Sequence, residues 1–219
     1  MTRTVPVLLL VAAAMLAASP FMIDAAPPEV TMGLVQKIFY VHLPSAMIFM
    51  VSSVICGVAS ALYLMGGRSP KADRTSVAAA ELAIVFGLIT LVTGPLWGRK
   101  AWGVWWVWDA RLTSTLVMWL LYWSFTLLRR FGGPGSETLS AGVGLFGMAL
   151  VPFVYWSVNV WRTLHPLTSV VPRLPASMGI PLWWSVVAFM CLFAALFLLR
   201  TRVEKLRTDL DAALADADE

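Results

Sequence analysis

Apolar residues gather into six nearly charge-free stretches, roughly 4–24, 44–65, 77–97, 112–128, 141–160 and 180–200. A helix that crosses a bilayer needs about 20 mainly apolar residues. Each stretch is therefore expected to be one transmembrane helix. The breaks are short and rich in Gly, Pro and charge: GGRSPKADR at 66–74, RRFGGPGSET at 129–138 and HPLTSVVPRLP at 165–175. They leave no room for a separate soluble domain, and no repeat recurs at a fixed period. The expected fold is an all-α integral membrane protein of six transmembrane helices over 1–200. A tail over 201–219 alternates apolar and charged residues at helical spacing and extends the sixth helix beyond the membrane. The first stretch also has small residues suited to signal-peptide cleavage, in AAMLAAS, but its apolar run exceeds the roughly 7–15 residues usual for such a peptide. It is expected to be a retained helix.

Composition strengthens the membrane reading. Of 219 residues, 59% are hydrophobic and only 13% charged, and the mean hydropathy is +0.80. A soluble domain is about a quarter charged. Charge then orients the bundle. Six spans put both termini on one side, and that side carries ten Lys and Arg against six on the other. Basic loops stay in the cytoplasm, so both termini are expected there. Several motifs are missing or out of place. No P-loop occurs, so the chain is not itself an ATPase, and no C-x-x-C-H occurs, so it is not a c-type cytochrome. GVGLFG at 142–147 matches a dinucleotide fingerprint but lies within a span. Its small residues suit close helix packing. Nothing points to a nucleic acid.

Tryptophan changes the picture. WGVWWVWDAR packs four tryptophans into the seven residues 102–108. Trp97, Trp102, Trp105, Trp106, Trp108, Trp156, Trp161, Trp183 and Trp184 all fall at or beyond the outer ends of the expected helices. Trp119 and Trp123 lie within the fourth, and none is at an inner end. An aromatic belt decorates both interfaces, so this one-sided set reads as an aromatic platform. If 102–109 is helical, Trp102, Trp105, Trp106 and Asp109 share one face. Asp109 is also placed to cap the fourth helix, with Thr113 and Ser114 as rivals, or to pair with Arg111.

The chain has two histidines, His42 in FYVHLPSAM and His165 in WRTLHPLTS. Both fall outside the apolar runs on the tryptophan side, each beside a proline (Pro44 and Pro166). Each is expected at a stiffened junction between loop and helix. Two imidazoles, an aromatic platform and a few cations suit a planar apolar macrocycle with a metal and carboxylate tails. Haem iron accepts axial imidazole, and Arg99, Lys100, Arg111 and Arg162 are candidate partners for its propionates. Zinc usually takes three or four ligands, and no such set surrounds these histidines.

WGVWWVWDARLTS, with VHLPSAM and TLHPLTS on either side, closely resembles the tryptophan-rich WWD family of haem-handling proteins in cytochrome c maturation. The resemblance covers about 30–200, and the six spans and modest length resemble its CcmC branch. One local departure is Pro166, where that family is expected to carry Gln. The resemblance implies that His42 and His165 are axial ligands of haem b. It implies that Trp102, Trp105, Trp106, Trp108 and Asp109 form a periplasmic haem-presenting loop over 98–112. The implied role is haem delivery to the chaperone CcmE at the bacterial inner membrane, with CcmD and the ABC-type pair CcmA and CcmB as partners. No enzymatic step of its own is implied. Two rivals come from other classes. A b-type electron-transfer subunit would favour histidine pairs within helices. A transporter would favour broken helices and midplane polar groups, of which Glu81, near the inner end of its span, is the one acid.

Overall fold

A computed structural model describes residues 3–217. Residues 1–2 and 218–219, the outermost of the two segments expected above, lie outside the described residues. Six helices follow in order: α1 (Thr4–Ala25), α2 (Phe39–Met65), α3 (Pro70–Trp102), α4 (Ala110–Phe131), α5 (Ser136–Val160) and α6 (Ala176–Ala217). Among the described residues there is no β-strand, only one isolated bridge between Glu29 and Gly33. A short 3-10 helix, Leu34–Ile38, leads directly into α2. At about 1.5 Å per residue, even the 22 residues of α1 or α4 reach about 33 Å, enough for a hydrocarbon core of roughly 30 Å.

Five of the helices are long and apolar enough to cross a membrane by length and composition. The exception is α4, which carries Arg111, Arg129 and Arg130 together with Trp, Tyr, Ser and Thr. It still runs the depth of the bundle, because α3 and α5 pack on either side of it. The chain is a multi-pass membrane protein. Its sixth helix continues without a break into the tail, as expected.

The central element is α2, which packs against α3, α5 and α6, while α1 lies outside against α6. Small residues let the helices close in. A Cβ on Gly144 would stand 2.5 Å from Ser60 Oγ, and one on Gly147 2.6 Å from the buried Tyr122 hydroxyl. This is the close packing expected of the GVGLFG segment. The core runs down the middle, with Ile48, Phe49, Phe86, Met118, Tyr122, Phe125 and Val154 all but fully buried.

The two ends of the bundle differ in chemistry. At one end charges pair across helices. Arg129 meets Asp73 at 2.6 Å and Glu137 at 3.7 Å, and Arg200 holds both Glu81 and Glu204. Glu81 is therefore half of an ion pair between α3 and α6. At the other end stand both histidines and nine of the tryptophans.

Candidate functional site

The structure departs from the sequence expectation in two places. The first concerns 102–109, which is not helical. Gly103 has φ +79°, the left-handed conformation that ends many helices, and it stops α3 at Trp102. Arg99 donates to the Gly103 carbonyl at 2.8 Å. From there the chain runs without regular structure to Asp109, so no helical face gathers Trp102, Trp105, Trp106 and Asp109. The second concerns His42, which lies inside α2, in its first turns, and is buried. Pro44 does not open that helix but lies within it. The preceding 3-10 turn and the burial of Phe39 and Tyr40 start the helix earlier. Pro44 therefore withholds a donor from the Tyr40 carbonyl, and α2 continues past it. His165 is in a loop, as expected.

Each imidazole is held by its Nδ1. His42 Nδ1 lies 2.9 Å from Thr93 Oγ1, and that hydroxyl donates to the Ile89 carbonyl at 2.7 Å. With its proton committed, Thr93 can only accept from His42, so Nδ1 carries the hydrogen. His165 Nδ1 lies 2.9 Å from the Pro166 carbonyl, which accepts only, so the same tautomer follows. Both rings then present Nε2 with a free lone pair, the form in which imidazole binds a metal. Enclosure first, and then the positive charge of Arg111, pull the His165 pKa down to about 4. The ring is neutral at pH 7. Gly94 admits His42 against α3, since a Cβ there would lie 3.3 Å from the ring.

Asp109 ties the tryptophan segment to the second histidine. One carboxylate oxygen caps α4 by accepting from the Leu112 N–H at 2.7 Å, the capping role expected for it. The other accepts from the Thr163 hydroxyl, and Thr163 in turn accepts from the His165 backbone N–H at 3.0 Å. Arg111 does not pair with Asp109 but donates to the Val154 and Tyr155 carbonyls at 3.0 and 3.2 Å, joining α4 to α5. Trp97 centres the aromatic cluster. It meets His42 edge-on at 5.8 Å, stacks on Trp102 at 6.0 Å and donates to Met32 Sδ.

Two crevices flank the histidines, and His42, Trp97, Arg111 and His165 line both. The one under the tryptophan segment adds Trp102, Trp105, Trp106 and Asp109, and it is closed down to about 80 Å³. The one between α2, α6 and the 165–174 loop adds Met32, Phe39, Tyr155 and Trp183, and it holds about 590 Å³. Ligand pockets run roughly 300–1,000 Å³, so the second has room for an organic ligand and the first is smaller than that range. Trp106 Nε1 is buried without a partner, a donor unused within the chain. Trp105 and Trp108 are 58% and 77% exposed. Of the four candidate cations only Arg111 lines the crevices. Arg99, Lys100 and Arg162 are exposed outside the lining, as is Trp108. Two imidazoles anchored through Nδ1, aromatic walls and one guanidinium suit the iron, ring and carboxylates of haem. Among the described residues no cluster of three His, Cys, Asp or Glu is placed for another metal.

Sequence reasoning missed Thr93, Thr163 and Gly94. They carry no motif, and only the helix crossings bring Thr93 and Gly94 to His42.

The family described as CcmC, Heme exporter protein C, matches residues 1–216. The chain is 36% identical over 211 residues to Heme exporter protein C of Bradyrhizobium diazoefficiens, covering 94% of this chain and 80% of that protein. It is 36% identical to Heme exporter protein C of Escherichia coli K12, covering 81% and 73%. A ccmC-like mitochondrial protein of cytochrome c biosynthesis from Marchantia polymorpha is 33% identical, covering 81% and 77%.

Proposed function

Since the chain belongs to the Heme exporter protein C (CcmC) family, whose members handle haem in cytochrome c maturation, we propose that it holds haem b between His42 and His165 and delivers it to the haem chaperone CcmE. The carrying observation is the pair of imidazoles, both fixed through Nδ1 and both offering Nε2 beside crevices lined by tryptophan and Arg111. Haem here is cargo, and the chain's side chains bind and orient it. No bond-forming step is assigned to them. Arg111 suits a propionate, with Arg99, Lys100 and Arg162 as outer partners for the second carboxylate. Trp102, Trp105, Trp106 and Trp108 present the exposed haem edge to the chaperone, since aromatic residues are favoured at such interfaces.

The setting proposed is the bacterial inner membrane, in a complex with CcmD, CcmA and CcmB. The tryptophan end faces the periplasm and both termini the cytoplasm. Residues 1–200 then form the haem-handling bundle with its loop at 98–112, and 201–219 a cytoplasmic tail.

The test is the absorption spectrum of the chain purified from haem-replete membranes. Wild type should show a six-coordinate, low-spin haem. His42→Ala and His165→Ala should each shift it toward a five-coordinate or weaker form. Retention of the unaltered six-coordinate spectrum in both would remove the ligand assignment.

A further inference from the structure

Neither histidine stands free in its crevice, and each is set by a threonine from another part of the chain or loop. Thr93, on α3, receives the Nδ1–H of His42 at 2.9 Å while its own hydroxyl proton goes to the Ile89 carbonyl at 2.7 Å. Thr163 gives its proton to Asp109 and receives the His165 backbone N–H at 3.0 Å. A valine has the shape of threonine without the oxygen. An apolar α3 would pack as well without Thr93, and a loop could turn at 163 on other residues. What the two hydroxyls add is the direction of two rings.

We propose that Thr93 and Thr163 are the positioning residues of the two haem ligands, each acting on its histidine by a different route. This rests on the reading of His42 and His165 as axial ligands. Thr93 acts on the ring. It fixes the tautomer that leaves Nε2 bare, and by accepting from Nδ1–H it makes the imidazole a stronger donor, which favours ferric over ferrous iron. Thr163 acts on the backbone. It closes a short side-chain turn that holds the His165 N–H, and it links that turn through Asp109 to the start of α4 and the tryptophan segment. His165 has its own Nδ1–H bond to the Pro166 carbonyl at 2.9 Å, in which Thr163 takes no part. Loss of Thr163 therefore changes where the ring sits but not its donor strength.

The two routes predict different signatures. The full chain in detergent, loaded with haemin, is followed by absorption, spin-state spectroscopy, redox titration and haem retention. Thr93→Val should raise the midpoint potential and lower ferric haem affinity about 10–100-fold, the usual cost of removing a partner of this kind. Thr93→Ala, which removes the same oxygen without the bulk, should do the same, and Thr93→Ser should restore both. Thr163→Val should increase the five-coordinate, high-spin fraction and speed haem loss while leaving the potential of the remaining six-coordinate form close to wild type. Thr163→Ser should rescue it. Wild-type spectrum, potential and retention in Thr93→Val and Thr163→Val would overturn the proposal. So would an effect that serine does not rescue, which would mark a packing role only. The ligand reading fails separately, when His42→Ala and His165→Ala leave the wild-type spectrum unaltered.

Discussion

Asp109 uses its two carboxylate oxygens for different purposes, one to cap α4 and one to hold Thr163. The two can be separated by a single substitution. Asparagine caps a helix about as well as aspartate but has no charge and turns an amide N–H₂ toward the Thr163 hydroxyl, so Asp109→Asn should keep the helix start and replace the charge-assisted link to the His165 loop with a weaker neutral bond of reversed direction. Thermal stability and membrane level should stay near wild type while the spin state of bound haem shifts. Asp109→Ala should in addition cost about 0.5–2 kcal/mol through the lost cap, read as a lower melting temperature. The tryptophans divide in the same residue-by-residue way. Trp105 and Trp106 line the closed crevice, whereas Trp123 faces outward from the middle of α4. Trp105→Ala and Trp106→Ala should each weaken haem retention by roughly 0.5–1.5 kcal/mol beyond lost area and slow transfer to the chaperone. Trp123→Ala, at equal membrane level, should do neither. Equal transfer rates in all three would reduce the loop to an interfacial anchor.

The helices owe their contacts to what is absent from their side chains. In α5, Gly144 lies against Ser60 and Cys56, and Gly147 lies against the phenol of Tyr122. Tyr122 is fully buried and donates to the Ser53 carbonyl, so it cannot swing aside for a methyl group. Gly147→Ala should therefore destabilise the bundle by about 1–3 kcal/mol, the range for overpacking. Gly142, five residues nearer the start of α5, has nothing within 4 Å of a Cβ, and Gly142→Ala should leave the melting temperature unchanged or raise it slightly, since alanine is the better helix former. Melting of both variants in one detergent checks the contrast. An equal fall in both would mean that lost helix flexibility, rather than steric fit, sets the response. The same element logic explains the end of α3. Arg99, Lys100 and Ala101 continue the helix readily, and Gly103 in the left-handed region breaks it. That break frees the next six residues to bend over His42 and His165.

For the molecule as a whole, the one-sided distribution of tryptophan and the basic excess at the opposite end set an orientation that labelling can check. In a chain with Cys56→Ala and Cys191→Ala, a cysteine replacing Ser169 should react with an impermeant maleimide in spheroplasts. One replacing Lys71 should react only after permeabilisation. Reversed reactivity would turn the bundle over and place the histidines in the cytoplasm. Much of the architecture was legible in the chain, because a span announces itself by some 20 apolar residues and needs no partner to be recognised. The six stretches correspond to α1 through α6, and the glycines of 142–147 and the capping role of Asp109 were local enough to read directly. The limits of α2 and the course of 102–109 were not. There, burial of Phe39 and Tyr40 and the left-handed Gly103 overrode the periodicity that local sequence suggested. Hydropathy and residue placement along the chain were enough to specify an all-helical membrane protein with two histidines and an aromatic set at one end. Which groups meet followed from the packing of the helices. Thr93 lies 51 residues from His42, Thr163 lies 54 from Asp109, and Arg111 lies 43 from the carbonyl of Val154 that receives it. Hydropathy fixes how a segment partitions between water and lipid, but not which faces of neighbouring helices touch. That is settled by close packing around α2 and by the need of each buried polar group for a partner.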